Sequence, residues 1–224
     1  MTVVIAKLNT ANGEARQTVI NALAKVQEFS KPNEPGVLRH ATLVSRDPSD
    51  DKSLYVIEEY ADQAAFDGHM AAKATTDLIS NFEANPSLFA KPTEISMSDI
   101  SSSFVRPECA RAADPFVGYA SIDYKEGTRD EALEGWKGVT SATQNNEPDT
   151  LSYAIVKDKG NSVSVHTFEV YASERYFKEV HATSEAVANN RAKYGDSVRT
   201  AFNLRLLKLV GGFLHRDEKA GPNL

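Results

Sequence analysis

The feature that most constrains this chain is an internal repeat. The segment YADQAAF (Tyr60 to Phe66) returns as YASERYF (Tyr171 to Phe177), an offset of 111 residues. The residue two before each tyrosine is a glutamate, Glu58 and Glu169. Asn33-Glu34-Pro35 returns as Asn146-Glu147-Pro148, an offset of 113, and Ala11-Asn12-Gly13 lines up with Lys125-Glu126-Gly127, an offset of 114. Offsets that drift so little, in the same order, mark a duplicated module. The 224 residues therefore divide into two similar units, at 1–104 and 116–224, with 105–115 between them.

Each copy has the same grammar. An apolar strand comes first, Val3 to Leu8 and then Phe116 to Tyr124. An amphipathic helix follows. Ala15, Val19, Ala22, Val26 and Phe29 recur at helical spacing in the first copy, and Leu133, Trp136 and Val139 in the second. The proline of Asn-Glu-Pro ends that helix, because the residue before a proline is pushed out of helical conformation. Two strands joined by a polar turn come next: Val37 to Ser45 with Ser53 to Tyr60, and Leu151 to Lys157 with Ser162 to Tyr171. Asp62 and Ser173 are suited to cap a second helix. A last strand closes each copy, Thr93 to Ile100 and Val198 to Val210.

The order βαββαβ predicts an α+β fold of two ferredoxin-like units. Helices cover one face of each four-stranded sheet, so the other face needs a second sheet. The same chain supplies one, which predicts an intramolecular α/β barrel, complete in a monomer or in an oligomer of intact barrels. The serine run and prolines of Ser101 to Pro115 read as the linker.

Composition removes several classes of function. The net charge is -6, and no Lys/Arg block stands out, so nucleic acid is not an expected partner. The one cysteine, Cys109, makes neither an internal disulfide nor a thiolate metal cluster and points to a reducing compartment. With no membrane-length apolar run and no signal segment, the expected location is cytoplasmic. The five histidines form no HxH or HExxH pair, and no GxGxxG, GxxxxGK or GxSxG stands in the chain. The sequence thus predicts neither a metal nor a nucleotide cofactor.

YADQAAFDGH, preceded by Glu58, and EPGVLRH ahead of it resemble the marker segments of the antibiotic biosynthesis monooxygenase family of dimeric α/β barrels. The second copy keeps Glu169, Tyr171 and Phe177, but places its histidine one residue later, at His181, and lacks the glycine after Pro148. The whole is similar to tandem forms in filamentous fungi linked to secondary metabolism. The resemblance implies a monooxygenase without a prosthetic group. It would act on a small aromatic or polyketide-like molecule and molecular oxygen. The substrate supplies the electrons once a base has made it an anion, and the protein supplies the base, donors for the anion and a dry pocket. It also implies a pocket on the helix-facing side of the third strand of each copy.

Alternation along the strand puts Val56, Glu58 and Tyr60 on one face, and Thr167, Glu169 and Tyr171 on the matching face of the second copy. The second helix of copy two puts Phe177, His181, Ser184, Ala188 and Arg191 on one stripe, so Tyr171, His181 and Arg191 are expected to meet in one cleft. His181, Tyr171, Arg191 and His69 are accordingly the candidate catalytic residues, and Thr167, Phe177, Tyr60, Phe66 and Glu169 the candidate substrate contacts. Copy one has Val56 for Thr167 and Ser80 for Arg191, so the second copy is the expected working site. The rival readings are a non-redox isomerase, cyclase or dehydratase on the same barrel, and a binding or stress-response module without turnover. Haem degradation is disfavoured, because Leu8 and Ile122 stand about where relatives that do it carry an asparagine.

Overall fold

The computed structural model describes residues 1–216 of the chain. Its strands follow one hydrogen-bonded order that closes on itself, β1-β3-β2-β8-β5-β7-β6-β4, an eight-stranded barrel. The expected α+β barrel of two ferredoxin-like units is the fold observed. The chain forms two compact units, Met1–Met97 with the segment from Lys208, and Ser98–Leu207.

The first unit runs β1 (Thr2–Asn9), α1 (Gly13–Asn33), β2 (Val37–Ser45), β3 (Ser53–Tyr60), α2 (Gln63–Ala71), α3 (Lys73–Ala84) and the start of β4 (Glu94–Val105). Asn12 caps α1, its side chain accepting from the Ala15 amide at 2.9 Å, an interaction worth about 1 kcal/mol. Antiparallel pairing sets Val4 and His40 on either side of Glu58, and Ala6 and Thr42 on either side of Val56. Those residues face α1: Val19 and Leu23 pack on Leu8, Val44, Leu54 and Val56, and Gln27 donates to Thr42 Oγ1 at 2.7 Å. The opposite face of the same strands carries a buried ion pair, Arg39 with Glu59 at 3.4 Å.

The second unit takes the end of β4, then β5 (Phe116–Tyr124), α4 (Arg129–Asn146), β6 (Thr150–Asp158) and β7 (Ser164–Tyr171). A short turn α5 (Glu174–Tyr176) continues into a π-helical turn over Phe177–His181, followed by α6 (Glu185–Tyr194) and β8 (Arg199–Phe213). Leu133, Trp136 and Val139 of α4 pack on Ile122, Tyr153, Ile155 and Val165. This places Val165, and by alternation Thr167, Glu169 and Tyr171, on the helix-facing side.

Two sequence expectations are corrected. The serine run is not linker: Ser102 and Ser103 pair with Ile155 and Ala154 of β6, and β4 continues to Val105. Small hydroxyl residues fit a paired strand as well as a loop, so composition misplaced the boundary. Nor is the second helix of either copy continuous. It breaks at Ala72, whose ψ of 139° is extended, and again at Ser184, which caps a new helix by accepting from Val187 N at 3.4 Å. Asp62 and Ser173 cap their helices as expected, at 2.8 and 3.1 Å.

Candidate functional site

The repeat carries a polar cluster, and the same bonds recur in both copies. In the first unit His69, in the last turn of α2, meets Glu34, with Nδ1 at 2.8 Å from Oε2. Tyr60 donates its hydroxyl to Glu58 Oε2 at 2.7 Å. In the second unit His181 Nδ1 lies 2.8 Å from Glu147 Oε2, and Tyr171 donates to Glu169 Oε2 at 2.7 Å. Phe66 stands edge-on to Tyr60, and Phe177 tilts against Tyr171, each with centroids 5.3 Å apart.

Local structure explains why the cluster forms. Asn-Glu-Pro ends α1 and α4 at the asparagine, leaving the glutamate as the C-cap with closely matched angles, φ -122° and ψ 76° at Glu34, and φ -121° and ψ 80° at Glu147. The cap residue leaves the helix direction, and its side chain reaches the histidine. Glu58 and Glu169 arrive by strand alternation. His181 stands 12 residues after Glu169, whereas His69 stands 11 after Glu58. The π turn over Phe177–His181 absorbs that extra residue, so both imidazoles make the same bond.

The residue facing the strand glutamate differs between the copies. Opposite Glu58 in register stands His40, and opposite Glu169 stands Tyr153. His181 is therefore ringed by Tyr153 and Tyr171, with centroids at 5.3 and 5.1 Å, and its Nε2 lies 4.0 Å from Glu169.

Electrostatics follow from these neighbours. Burial disfavours the imidazolium of His181, but the Glu147 hydrogen bond and the charges of Glu169 and Glu147 outweigh it, so its pKa is raised. Burial pushes the Glu147 carboxyl up, but hydrogen bonds from His181, Thr150 and Thr143 outweigh that and hold its pKa down. His40 is shifted the other way: burial, only partly offset by Glu58, lowers its pKa. Burial and Glu169 push the Tyr153 and Tyr171 hydroxyls well up, making them donors rather than phenolates.

The expected residues are only partly gathered. His181, Tyr171, Glu169 and Phe177 come together, as do His69, Tyr60 and Phe66. Thr167 is buried, and its hydroxyl has no hydrogen-bond partner. Arg191 does not share a stripe with His181, because the π turn and the Ser184 cap break the helix the stripe assumed. It is exposed on α6 and lines a pocket of about 440 Å³ with Trp136, Val187, Asp196, Arg199 and Phe202. Arg199 lies over the Trp136 ring at 5.5 Å, and its charge bears on the Tyr153 hydroxyl.

Glu34, Glu147, His40, Tyr153 and Arg199 were not singled out from the sequence. The two glutamates carried a signal, since they repeat at nearly the same offset as the histidines. His40 and Tyr153 differ between copies, and no pattern in the chain marks them.

Residues 1–79 match the family model described as antibiotic biosynthesis monooxygenase, and the second copy repeats that module's polar cluster. The tandem barrel as a whole is similar to solved structures of the same length. One, from Fusobacterium nucleatum and provisionally named a monooxygenase, superposes with a TM-score of 0.81 at 18% identity, covering 97% of each chain. A second, from Lactobacillus acidophilus and also provisionally named a monooxygenase, gives 0.76 at 16%, covering 96% of this chain and 99% of that one. A third, described as anthrone oxidase-like, gives 0.67 at 10%, covering 99% and 96%. At such identities the likeness is one of fold. No curated protein matches the sequence. Among the described residues, no helix is long and apolar enough to cross a membrane.

Proposed function

We propose that the chain is a cofactor-independent monooxygenase of a small phenolic or polyketide-like substrate, working in its second unit. The observation that carries this is the pocket of about 440 Å³ lined by Arg191, Arg199 and Trp136. It adjoins a row of proton-handling groups. Trp136 and Tyr153 belong to one core cluster, Tyr153 pairs in register with Glu169, and Glu169 neighbours His181.

In this reading an aromatic substrate packs on Trp136, and its oxyanion faces the guanidinium groups. Arg199, half-buried against Trp136, is the better screened from water of the two, so its charge acts more strongly on the oxyanion. The proton leaves through Tyr153 and Glu169 to His181, whose partner Glu147 stabilises the imidazolium. The carbanion then reduces oxygen. One oxygen atom enters the substrate as a carbonyl and the other leaves as water, the methylene supplying all the electrons. The anthrone oxidase-like name of one structural neighbour suggests anthrone as the probe.

Oxygen-electrode traces with anthrone should show uptake matched to anthraquinone formed, with label from ¹⁸O₂ in the new carbonyl. Arg199→Ala should reduce kcat/KM by about 30–100-fold, equivalent to about 2–3 kcal/mol of anion stabilisation, and Arg191→Ala by less, because Arg191 is exposed. Turnover of anthrone without oxygen uptake, giving an isomerised or dehydrated product at the same rate under argon and no anthraquinone, would replace this reading by the non-redox one.

A further inference from the structure

We propose that His40, Glu58 and His69 form a binding site for a divalent transition-metal ion in the first unit, a site that the second unit lacks. The three come from β2, β3 and α2, and each offers one ligand atom, all within 4.8 Å of one another. Their spacings in the chain, 18 and 11 residues, match no metal motif, so the fold alone assembles them.

The state of His40 is what calls for a ligand. It is 1% exposed, and neither ring nitrogen makes a hydrogen bond. Glu58 Oε1 lies 3.3 Å from Nε2 but in a direction that makes no bond. Buried polar groups in native proteins are nearly always partnered, and an orphan costs about 1–3 kcal/mol. A cation between Nε2 and the carboxylate satisfies both.

The surroundings match what metal ligands need behind them. Glu34 takes the Nδ1 proton of His69 at 2.8 Å, which leaves the Nε2 lone pair for a metal. That Nε2 makes only a long contact of 3.4 Å, with Thr75 Oγ1. Tyr60 holds Glu58 Oε2 at 2.7 Å and leaves Oε1 toward His40. A carboxylate behind a ligating histidine and a donor behind a ligating carboxylate are the usual outer partners of such sites.

Tetrahedral bonds of about 2.1 Å put ligand atoms about 3.4 Å apart. The His40–Glu58 pair, at 3.3 Å, already has that spacing, and His69 closes the rest by a small side-chain movement. Two imidazoles and one carboxylate select zinc, cobalt or ferrous ions over magnesium and calcium, which take oxygen ligands. In the second unit Tyr153 stands where His40 does, leaving one imidazole fewer.

Equilibrium dialysis of the metal-free full chain against Zn²⁺, and against Co²⁺ with visible spectra, tests this. The expected result is one equivalent per chain, with the intense cobalt bands of a low-coordinate site. His40→Tyr, which copies the second unit, should reduce stoichiometry to background, and Glu58→Gln should weaken Kd by at least about 100-fold. Glu34→Gln should weaken it by about 10–100-fold. Tyr153→His should add a second equivalent. Thermal melts identify variants that are folded. Wild-type protein that binds no more than a folded His40→Tyr or Glu58→Gln chain overturns the proposal. So does an unaltered stoichiometry in Tyr153→His combined with no binding by the wild type.

Discussion

His181→Ala is expected to reduce turnover by about 10²–10⁴-fold, the usual contribution of a positioned acid–base group, and to destabilise the second unit by about 3–5 kcal/mol. The stability loss has two sources. The imidazole fills space against Tyr153, Tyr171 and Phe177, so its removal leaves a cavity. It also leaves Glu147, whose side chain is 5% exposed, with only the Thr150 and Thr143 hydroxyls at 3.0 and 3.4 Å. The pH dependence separates these sources. The pKa of His181 is raised on folding, so its contribution is complete below the unfolded value of about 6.5 and is lost as pH rises through the folded one. Glu147 is depressed, so its contribution is complete above the unfolded value of about 4.3 and is lost as pH falls through the folded one. The gap between wild type and mutant, measured by urea unfolding across pH 3–9, should therefore peak near pH 5–6 and narrow on both sides. A gap flat across that range would mean that packing alone accounts for the loss. Turnover should be compared at temperatures where both proteins are folded.

Gly212→Ala is the second large effect. Gly212 has a φ of +77°, in the left-handed region that costs other residues about 1–2 kcal/mol. A Cβ there would run into the backbone oxygen of His40 and stand 2.7 Å from Gln27 Nε2. The oxygen belongs to a strand and cannot swing aside. Adding about 1–3 kcal/mol for the overpacking gives a loss of about 3 kcal/mol, or a fall in Tm of about 6–12 °C for a chain this size. Gly138→Ala is the control. No atom lies within 4 Å of a Cβ there, and the residue sits inside α4. That change should raise stability by about 0.5–1 kcal/mol. A Gly212→Ala protein that melts like Gly138→Ala would show that the end of β8 yields easily.

The duplication made the fold legible because each copy checks the other. The strands Val37–Ser45 and Ser53–Tyr60 fell where alternation placed them, and the Asp62 and Ser173 caps followed from residue type. The site was legible only in part. Glu34 and Glu147 were read as part of a helix terminator, which they are, but the cap geometry that turns them onto the histidines is three-dimensional. Arg191 was placed beside His181 by counting helical turns, and such counting fails wherever a π turn or a new cap intervenes. The meeting of His40 with Glu58 depends on strand register, which no spacing in the sequence states.

The π turn beneath His181 shows how the two halves could drift in length without losing their shared chemistry. A surplus residue in a regular helix rotates everything after it by about 100°, which would have pointed the imidazole away from Glu147. A widened turn confines that surplus to one loop of backbone. Aligning the halves without a gap would therefore pair His181 with Met70 and hide the correspondence. Removing a single residue from Phe177–Val180 should restore an ordinary turn and leave the His181–Glu147 bond in place. Insertions and deletions are usually the harshest mutations a helix meets; here the helix holds one as a reversible change of gauge.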